Sequence, residues 1–212
     1  MSPDEMLGPH DVLRDRPFTD TAHTRREVAV MQAMLDGLRA RARAWLRAGD
    51  QGRERLVREL DDEGHRHLLL VLDTDALVTS SGLTAVGFFG RPRSDVDHAV
   101  LFELEEELLC RMPSHASTGL LSYYDVELVK GAYGNLILFS TPDVPPEWRA
   151  DPVHERAVDL STRHYHEVRL HKGSIPGRLL DRGEIAVERT KYFDFDSEPG
   201  WHGVRRFDNA CR

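Results

Sequence analysis

The chain is poor in cysteine and has no long apolar run. Its two cysteines, Cys110 and Cys211, lie far apart, so neither a disulfide framework nor a cysteine-based zinc site is indicated. Nothing approaches the ~18 consecutive apolar residues of a membrane span. The acidic start MSPDEMLGPHD lacks the basic flank and apolar run of a signal peptide. We therefore expect a cytoplasmic protein that does not enter a membrane.

Lysine is also scarce, and the 36 acidic residues outnumber the 28 lysines and arginines. The formal net charge is −8, and only three of the 212 residues are lysines, namely Lys130, Lys172 and Lys191. Because duplex binding depends mainly on clustered basic side chains that neutralise phosphates, the composition argues against a nucleic-acid partner. The 40% hydrophobic and 30% charged residues are typical of a folded globular chain with one main domain.

The chain divides into four predicted segments. Prolines and charges without a period predict a flexible arm over residues 1–21. Apolar residues at three- and four-residue steps after it, and a second helical stretch from Gln51 to Leu60 that stops before Gly64, predict an N-terminal helical extension over residues 22–65. Residues 66–196 form the predicted main domain, and residues 197–212 form a C-terminal tail.

Within the main domain, short apolar runs alternate with helical patterns. The predicted elements are strands at 67–73 and 83–90, a helix at 94–112, strands at 118–128 and 133–140, a helix from about 151 to 162, and strands at 163–171 and 184–196. Ser94 is the predicted N-cap of the first helix. The VKGA linker, with Gly131 as its turn residue, predicts a β-hairpin.

From residue 83 to 172 the order is strand, helix, strand, strand, helix, strand. This order predicts an α+β fold of the ferredoxin-like βαββαβ type, in which two helices cover one face of an antiparallel sheet. Exposed apolar sheet surface is rarely left open. We therefore expect a homodimer whose two open sheet faces close into an α/β barrel.

On this element order and hairpin, the chain resembles the dimeric α/β-barrel superfamily. Its members include antibiotic-biosynthesis monooxygenases, haem-degrading enzymes, chlorite dismutases and aldoxime dehydratases. The resemblance covers about 110 residues and concerns the fold, which hosts more than one function. It implies a small-molecule enzyme of specialised metabolism that performs redox or lyase chemistry in the barrel, with haem as a candidate cofactor.

The stretch RHYHEVRLHKG at 163–173 divides by strand alternation into two sets. His166, Val168 and Leu170 point to one face, and Tyr165, Glu167, Arg169 and His171 point to the other. We expect the second set to face the open side of the sheet. With the hairpin strands, that face is predicted to collect Tyr123, Asp125, Asn135, Phe139, Arg169 and His171. Aromatic walls with a few polar groups are typical of a small-molecule pocket, and a hydrated interface or exposed sheet face is the alternative.

The polar groups of this predicted pocket suit acid-base chemistry. The candidate catalytic residues are Arg169, His171, Tyr123, Asp125 and Glu167. In this hypothesis His171 is the base, and Arg169 holds a carboxylate or stabilises an enolate. Tyr123 and Asn135 position the substrate. A cofactor-independent monooxygenase or isomerase is thus a second candidate function.

Haem needs one axial histidine, an apolar cleft and basic residues for its propionates. The resemblance implies a ligand on or near the last helix or in the barrel. The candidate axial ligands are His154, His164 and His171; Arg169, Asn135 and Phe139 complete the predicted cofactor-binding set. No H-E-x-x-H or paired C-x-x-C accompanies these histidines, so a site with several protein ligands is not indicated. A non-catalytic ligand-binding or partner-binding module, in which the Arg-rich helix is the working surface, is a third candidate.

Overall fold

The computed structural model describes residues 4–49, 52, 54–128 and 132–207. Within them, nine strands form one mixed sheet in the spatial order β1-β9-β8-β7-β4-β6-β5-β3-β2. The strands are β1 (Glu5–Leu7), β2 (Arg55–Leu60), β3 (Arg66–Val71), β4 (Ser81–Pro92), β5 (Leu120–Glu127), β6 (Tyr133–Phe139), β7 (Tyr165–Arg178), β8 (Ala186–Asp194) and β9 (Trp201–Arg206). Only the pair β1–β9 is parallel, among the described strands.

Five α-helices accompany this sheet in the described part of the chain. They are α1 (Thr21–Arg47), α2 (Thr74–Thr79), α3 (Ala99–Arg111), α4 (Pro146–Arg149) and α5 (Pro152–His164). Helix α1 packs on one face of the sheet, and α3 and α5 pack on the other. None of the helices in the described ranges combines the length and apolar character needed to cross a membrane.

The size of the sheet corrects the predicted fold. The run β4, α3, β5, β6, α5, β7 forms only the middle of it, and five further strands extend it on both sides. The expected four-stranded ferredoxin-like sheet, and with it the resemblance to the dimeric α/β barrels, is therefore wrong. The chain instead has a larger α+β arrangement built on a nine-stranded mixed sheet.

Helix α1 covers the sheet face that was expected to be bare. Its buried side chains Met31, Leu35 and Leu38 form one apolar cluster with sheet residues such as Leu136 and Leu138. The helix comes close at Gly87, where an added Cβ would lie 2.5 Å from the Met31 sulfur. Because the chain covers this face itself, the reason for expecting a face-to-face dimer no longer applies.

The opposite face carries a second apolar cluster beneath α3 and α5. Leu104 and Leu108 of α3, together with Val153 of α5 and Trp148, pack against residues of β3, β5 and β6 that include Phe139. Helix α5 begins at Asp151, whose side chain accepts hydrogen bonds from the first-turn amides, an arrangement typical of an N-cap. This cluster fills one part of the space under the two helices and leaves the rest open.

Several local predictions need correction. The helix expected at 51–60 is wrong, because Arg55–Leu60 is strand β2, a half-exposed edge strand paired with β3; residue 51 itself lies outside the described residues. Helix α3 begins at Ala99 with His98 at its N-cap, so Ser94 is not the cap. The predicted hairpin is formed by β5 and β6, while its predicted turn residue Gly131 lies outside the described residues.

Candidate functional site

A cavity of about 1230 Å³ lies between the sheet and helices α3 and α5. Its floor consists of side chains from β4 to β8, and the segment at 141–149 forms one side. Most of the wall is apolar; it includes Val86, Phe88, Ile137, Phe139, Leu170 and Phe193. This volume is above the range of roughly 300–1,000 Å³ that is common for small-molecule pockets. The cavity can therefore hold a ligand with a sizeable apolar part.

Strand register places four of the predicted pocket residues in this cavity. Tyr123 lies opposite Ile137, and Asp125 lies opposite Asn135. Residues directly opposite on neighbouring strands share a face of the sheet, and Phe139 follows two residues after Ile137. Tyr123, Asp125, Asn135 and Phe139 all line the cavity. They face the side of α3 and α5 rather than an open side.

Two carboxylates share one guanidinium at the β3–β5 end of the cavity. Arg66 donates from Nη1 to Glu105 Oε2 at 2.7 Å and from Nη2 to Asp125 Oδ2 at 2.8 Å. The Tyr123 hydroxyl donates to Glu105 Oε1 at 3.3 Å. Glu105 reaches this point because it lies on the cavity-facing side of α3. We refer to Arg66, Glu105, Tyr123 and Asp125 as the carboxylate cluster.

The electrostatics of the carboxylate cluster favour the protonated form of Asp125. Its side chain is almost fully buried, so desolvation raises the pKa of Asp125 well above its usual range. The negative charge of Glu105 raises the same pKa further, while the Arg66 guanidinium opposes both effects. Burial also raises the pKa of the Tyr123 hydroxyl. The cluster can therefore hold a proton at a pH where an exposed aspartate is ionised.

Asn135, directly opposite Asp125, contributes an unused hydrogen-bond acceptor. Its Oδ1 atom is buried and has no hydrogen-bond partner among the described residues. Leaving a buried acceptor unpaired costs roughly 1–3 kcal/mol. A hydroxyl or amide group of a bound molecule in this cavity would remove that cost.

His154 lies in the first turn of α5 and lines the same cavity. Its ring lies 5.0 Å from the Trp148 ring, centroid to centroid. Within the described chain its Nδ1 atom is buried without a hydrogen-bond partner. Burial lowers the pKa of His154, and its place at a helix N-terminus also disfavours the imidazolium. Both effects favour the neutral imidazole of His154, whose Nδ1 atom is left without a partner.

Arg169 and His171 lie on the other face of the sheet. Arg169 Nε donates to Glu27 Oε1 at 2.6 Å, and His171 Nε2 lies 2.8 Å from Glu27 Oε2. The second ring nitrogen of His171 contacts Thr190 Oγ1 at 2.8 Å. All of these groups are buried beneath α1. The expectation that Arg169 and His171 share a pocket face with Tyr123 and Asp125 is therefore wrong.

Strand register is the physical reason for this correction. His171 lies opposite Gly87, and Arg169 lies opposite Phe89, while Leu170 lies opposite Phe88. Phe88 and Leu170 line the cavity, so their sequence neighbours must face α1. Glu167 lies on the same face as Arg169, and its Oε1 atom accepts a hydrogen bond from Arg169 Nη1 at 3.0 Å. Alternation within β7 was correct from Glu167 to His171, but the placement of Tyr165 with this set was wrong, because the register shifts between Glu167 and Tyr165 and Tyr165 lines the cavity. The pairing of the faces of β7 with those of the hairpin was shifted by one residue.

The remaining candidate ligand, His164, ends α5 and is buried outside the main cavity. Neither of its ring nitrogens has a hydrogen-bond partner in the described part of the chain, and burial lowers its pKa. Of the three predicted haem ligands, His154 is the one that lines the cavity. Across the described ranges, no group of three or more His, Cys, Asp or Glu side chains is placed to hold a metal ion.

Five residues of the cavity were not identified from the sequence: Arg66, Glu105, Lys172, Arg189 and Lys191. One signal for Glu105 was present, because it falls on the apolar stripe of its helix between Leu101 and Leu108. A carboxylate at such a position is buried only when it has a partner.

Comparison of the chain with protein-family models, with curated proteins and with solved structures gives no match.

Proposed function

We propose that the protein is a small-molecule enzyme that catalyses proton transfer on an amphipathic substrate, as an isomerase or a lyase. The observation that carries the proposal is that Asp125 and His154 both line one cavity. The pKa of the acid is raised and that of the base is lowered. Titratable groups whose pKa values are strongly shifted by burial within one cavity are typical of acid-base catalysis.

In the proposed mechanism, neutral His154 accepts a proton from a substrate carbon next to a carbonyl group. Protonated Asp125 donates its proton to a substrate oxygen, either a carbonyl that becomes an enol or a hydroxyl that leaves as water. Arg66 and Glu105 act as positioning residues, because Arg66 donates to the Asp125 carboxyl group and Glu105 holds Arg66. Asn135 Oδ1 accepts a hydrogen bond from the substrate.

Haem binding stays a prediction. The buried, unpaired Nδ1 atom of His154 is a suitable axial ligand for haem iron. Arg169, the predicted partner of the propionates, lies on the other face and is paired with Glu27. Any propionate contact would instead involve the basic residues of β7 and β8 that line the cavity, Lys172, Arg189 and Lys191.

Deuterium incorporation tests the proposed proton transfer before the natural substrate is known. The protein is incubated in D₂O with a panel of amphipathic ketones, enones and 3-hydroxy acids, and mass spectrometry follows the products. We expect at least one compound to gain deuterium next to its carbonyl group, or to lose water, faster than without protein. The variant Ile137→Trp fills the cavity from its floor and should abolish this reaction.

The matched control is Val12→Trp, since Val12 is exposed and lies outside the cavity lining. It should retain the activity of the unmodified protein. Exchange that persists in Ile137→Trp would locate the chemistry elsewhere. Panel compounds that bind without exchange would instead support a non-catalytic ligand-binding protein that uses this cavity.

A further inference from the structure

We infer that Lys172, Arg189 and Lys191 form a subsite for an anionic group of the substrate, a carboxylate or a phosphate. The inference rests on the cavity being the substrate site, as proposed above. It adds the substrate class, namely an anionic amphiphile. We call these three side chains the basic subsite.

Strand pairing brings the basic subsite together. Lys172 of β7 lies directly opposite Arg189 of β8, and Lys191 lies opposite Leu170. Arg189 and Lys191 are two residues apart on one strand, so they point to the same face. All three side chains line the cavity and are partly buried.

The charge distribution of the chain makes this cluster unusual. The protein carries a net charge of −8, yet two of its three lysines lie here beside an arginine. Like charges directly opposite each other on neighbouring strands destabilise a sheet. In the described ranges, Lys172 alone among the three forms a salt bridge, and its partner Asp143 is 83% exposed. The subsite therefore keeps an excess of positive charge, which a bound anion would offset.

The strand residues that line the cavity indicate the length and polarity of the expected substrate. One row of paired residues runs from Arg189 and Lys172 through Val86 and Ile137 to Tyr123. With neighbouring strands about 4.8 Å apart, the row from β7 to β5 spans roughly 14 Å. The middle of the row is apolar, while its two ends are the basic subsite and the carboxylate cluster. The expected substrate has an anionic end, an apolar body of about that length and a reactive oxygen near Asp125.

Binding measurements with three probes of one chain length test this inference. The probes are dodecanoate, dodecyl phosphate and the neutral alcohol dodecanol, with affinities measured by isothermal titration calorimetry. Because hydrogen bonds to charged groups contribute about 1.5–3 kcal/mol, we expect at least one anion to bind at least about tenfold more tightly than dodecanol. The anion that binds more tightly identifies the carboxylate or the phosphate as the preferred group.

The double variant Arg189→Gln/Lys191→Gln should weaken anion binding by at least about tenfold and leave dodecanol binding unchanged. Its matched control is Arg178→Gln/Arg182→Gln, which removes the same charge from exposed arginines outside the cavity lining. This control should bind all three probes as the unmodified protein does. Added salt should weaken binding of the anions more than that of the alcohol.

Four outcomes would overturn the inference. Equal affinity for the anions and the alcohol would show that the basic subsite does not bind anions. Equal losses of anion affinity in the two double variants would show the same. Both results would leave the cavity as a binding site. Failure of all three probes to bind would also overturn the proposed substrate class. Dodecanol binding that Ile137→Trp does not weaken would show that the cavity is not the site, which contradicts the proposed function itself.

Discussion

Replacing Asp125 with asparagine should slow the proposed reaction by about 10²–10⁴-fold, the usual contribution of general acid-base catalysis. The asparagine has nearly the same shape and can still accept a hydrogen bond from Arg66, so the fold and the cavity should persist. It cannot donate the carboxyl proton to a substrate oxygen. The rate of deuterium exchange or of water loss, with the compound found active in the panel, measures the effect.

The matched control for this variant is Glu147→Gln. Glu147 also lines the cavity, but its carboxylate is exposed and has no role in the proposed mechanism. Its replacement should leave the rate within about twofold, as expected when no transition-state contact is lost. A rate for Asp125→Asn equal to that of this control would remove Asp125 from the mechanism.

The pH dependence follows from the directions of the two pKa shifts. Catalysis requires neutral His154, so the rate falls as pH drops through the lowered pKa of this histidine. Catalysis also requires protonated Asp125, so the rate falls as pH rises through the raised pKa of this carboxyl group. The unmodified protein should give a bell-shaped profile. Asp125→Asn should lose the alkaline limb and keep the acidic one.

Replacing Glu27 with alanine should lower the free energy of unfolding by about 3–5 kcal/mol, the usual cost of removing one partner of a buried ion pair. Glu27 of α1 accepts from Arg169 and contacts His171, and both of these side chains are buried. Without Glu27, Arg169 retains Glu167, which also accepts from Arg91. The variant thus leaves Arg169 sharing a single carboxylate beneath the helix.

Denaturant unfolding followed by circular dichroism measures this loss. The matched control is Glu107→Ala, which removes a carboxylate of α3 whose partner Arg156 is 57% exposed while Glu107 itself is 48% exposed. Such surface pairs contribute at most about 1 kcal/mol. Equal losses in the two variants would mean that the contact between Glu27 and the sheet is not a stabilising feature of the α1 interface.

The sequence predicted the alternation of side chains within single strands better than the way in which the strands pair with one another. Alternation along β7 separated Arg169 and His171 from Leu170, as the structure has them. It did not determine which face of the hairpin joins which face of β7, because that depends on pairing with β4. A shift of one residue exchanges the two faces. Four residues expected in a pocket thus line the cavity, while Arg169 and His171 lie beneath α1.

The number of strands in the sheet could not be predicted from the sequence, for a different reason. Strand β2 carries charged residues at three of its six positions and has one neighbour, so its sequence lacks the apolar alternation of an interior strand. Strands β1 and β9 pair with each other from opposite ends of the chain, and contacts this distant in sequence leave no local pattern. Helix α1 has an evident apolar stripe, but the stripe does not reveal which surface the helix covers.

The most direct test of the account is an NMR titration of Asp125 and His154 in the unmodified protein. The carboxyl carbon of Asp125 is assigned from the spectrum of Asp125→Asn, and the imidazole of His154 from that of His154→Gln. At about pH 6 an ordinary aspartate is ionised and an ordinary histidine is largely protonated. We expect departures in opposite directions: Asp125 keeps its proton to a higher pH than an ordinary aspartate, and His154 stays neutral to a lower pH than an ordinary histidine. Ordinary titration of either group, near pH ~4 for Asp125 or ~6.5 for His154, would contradict the proposed acid-base pair.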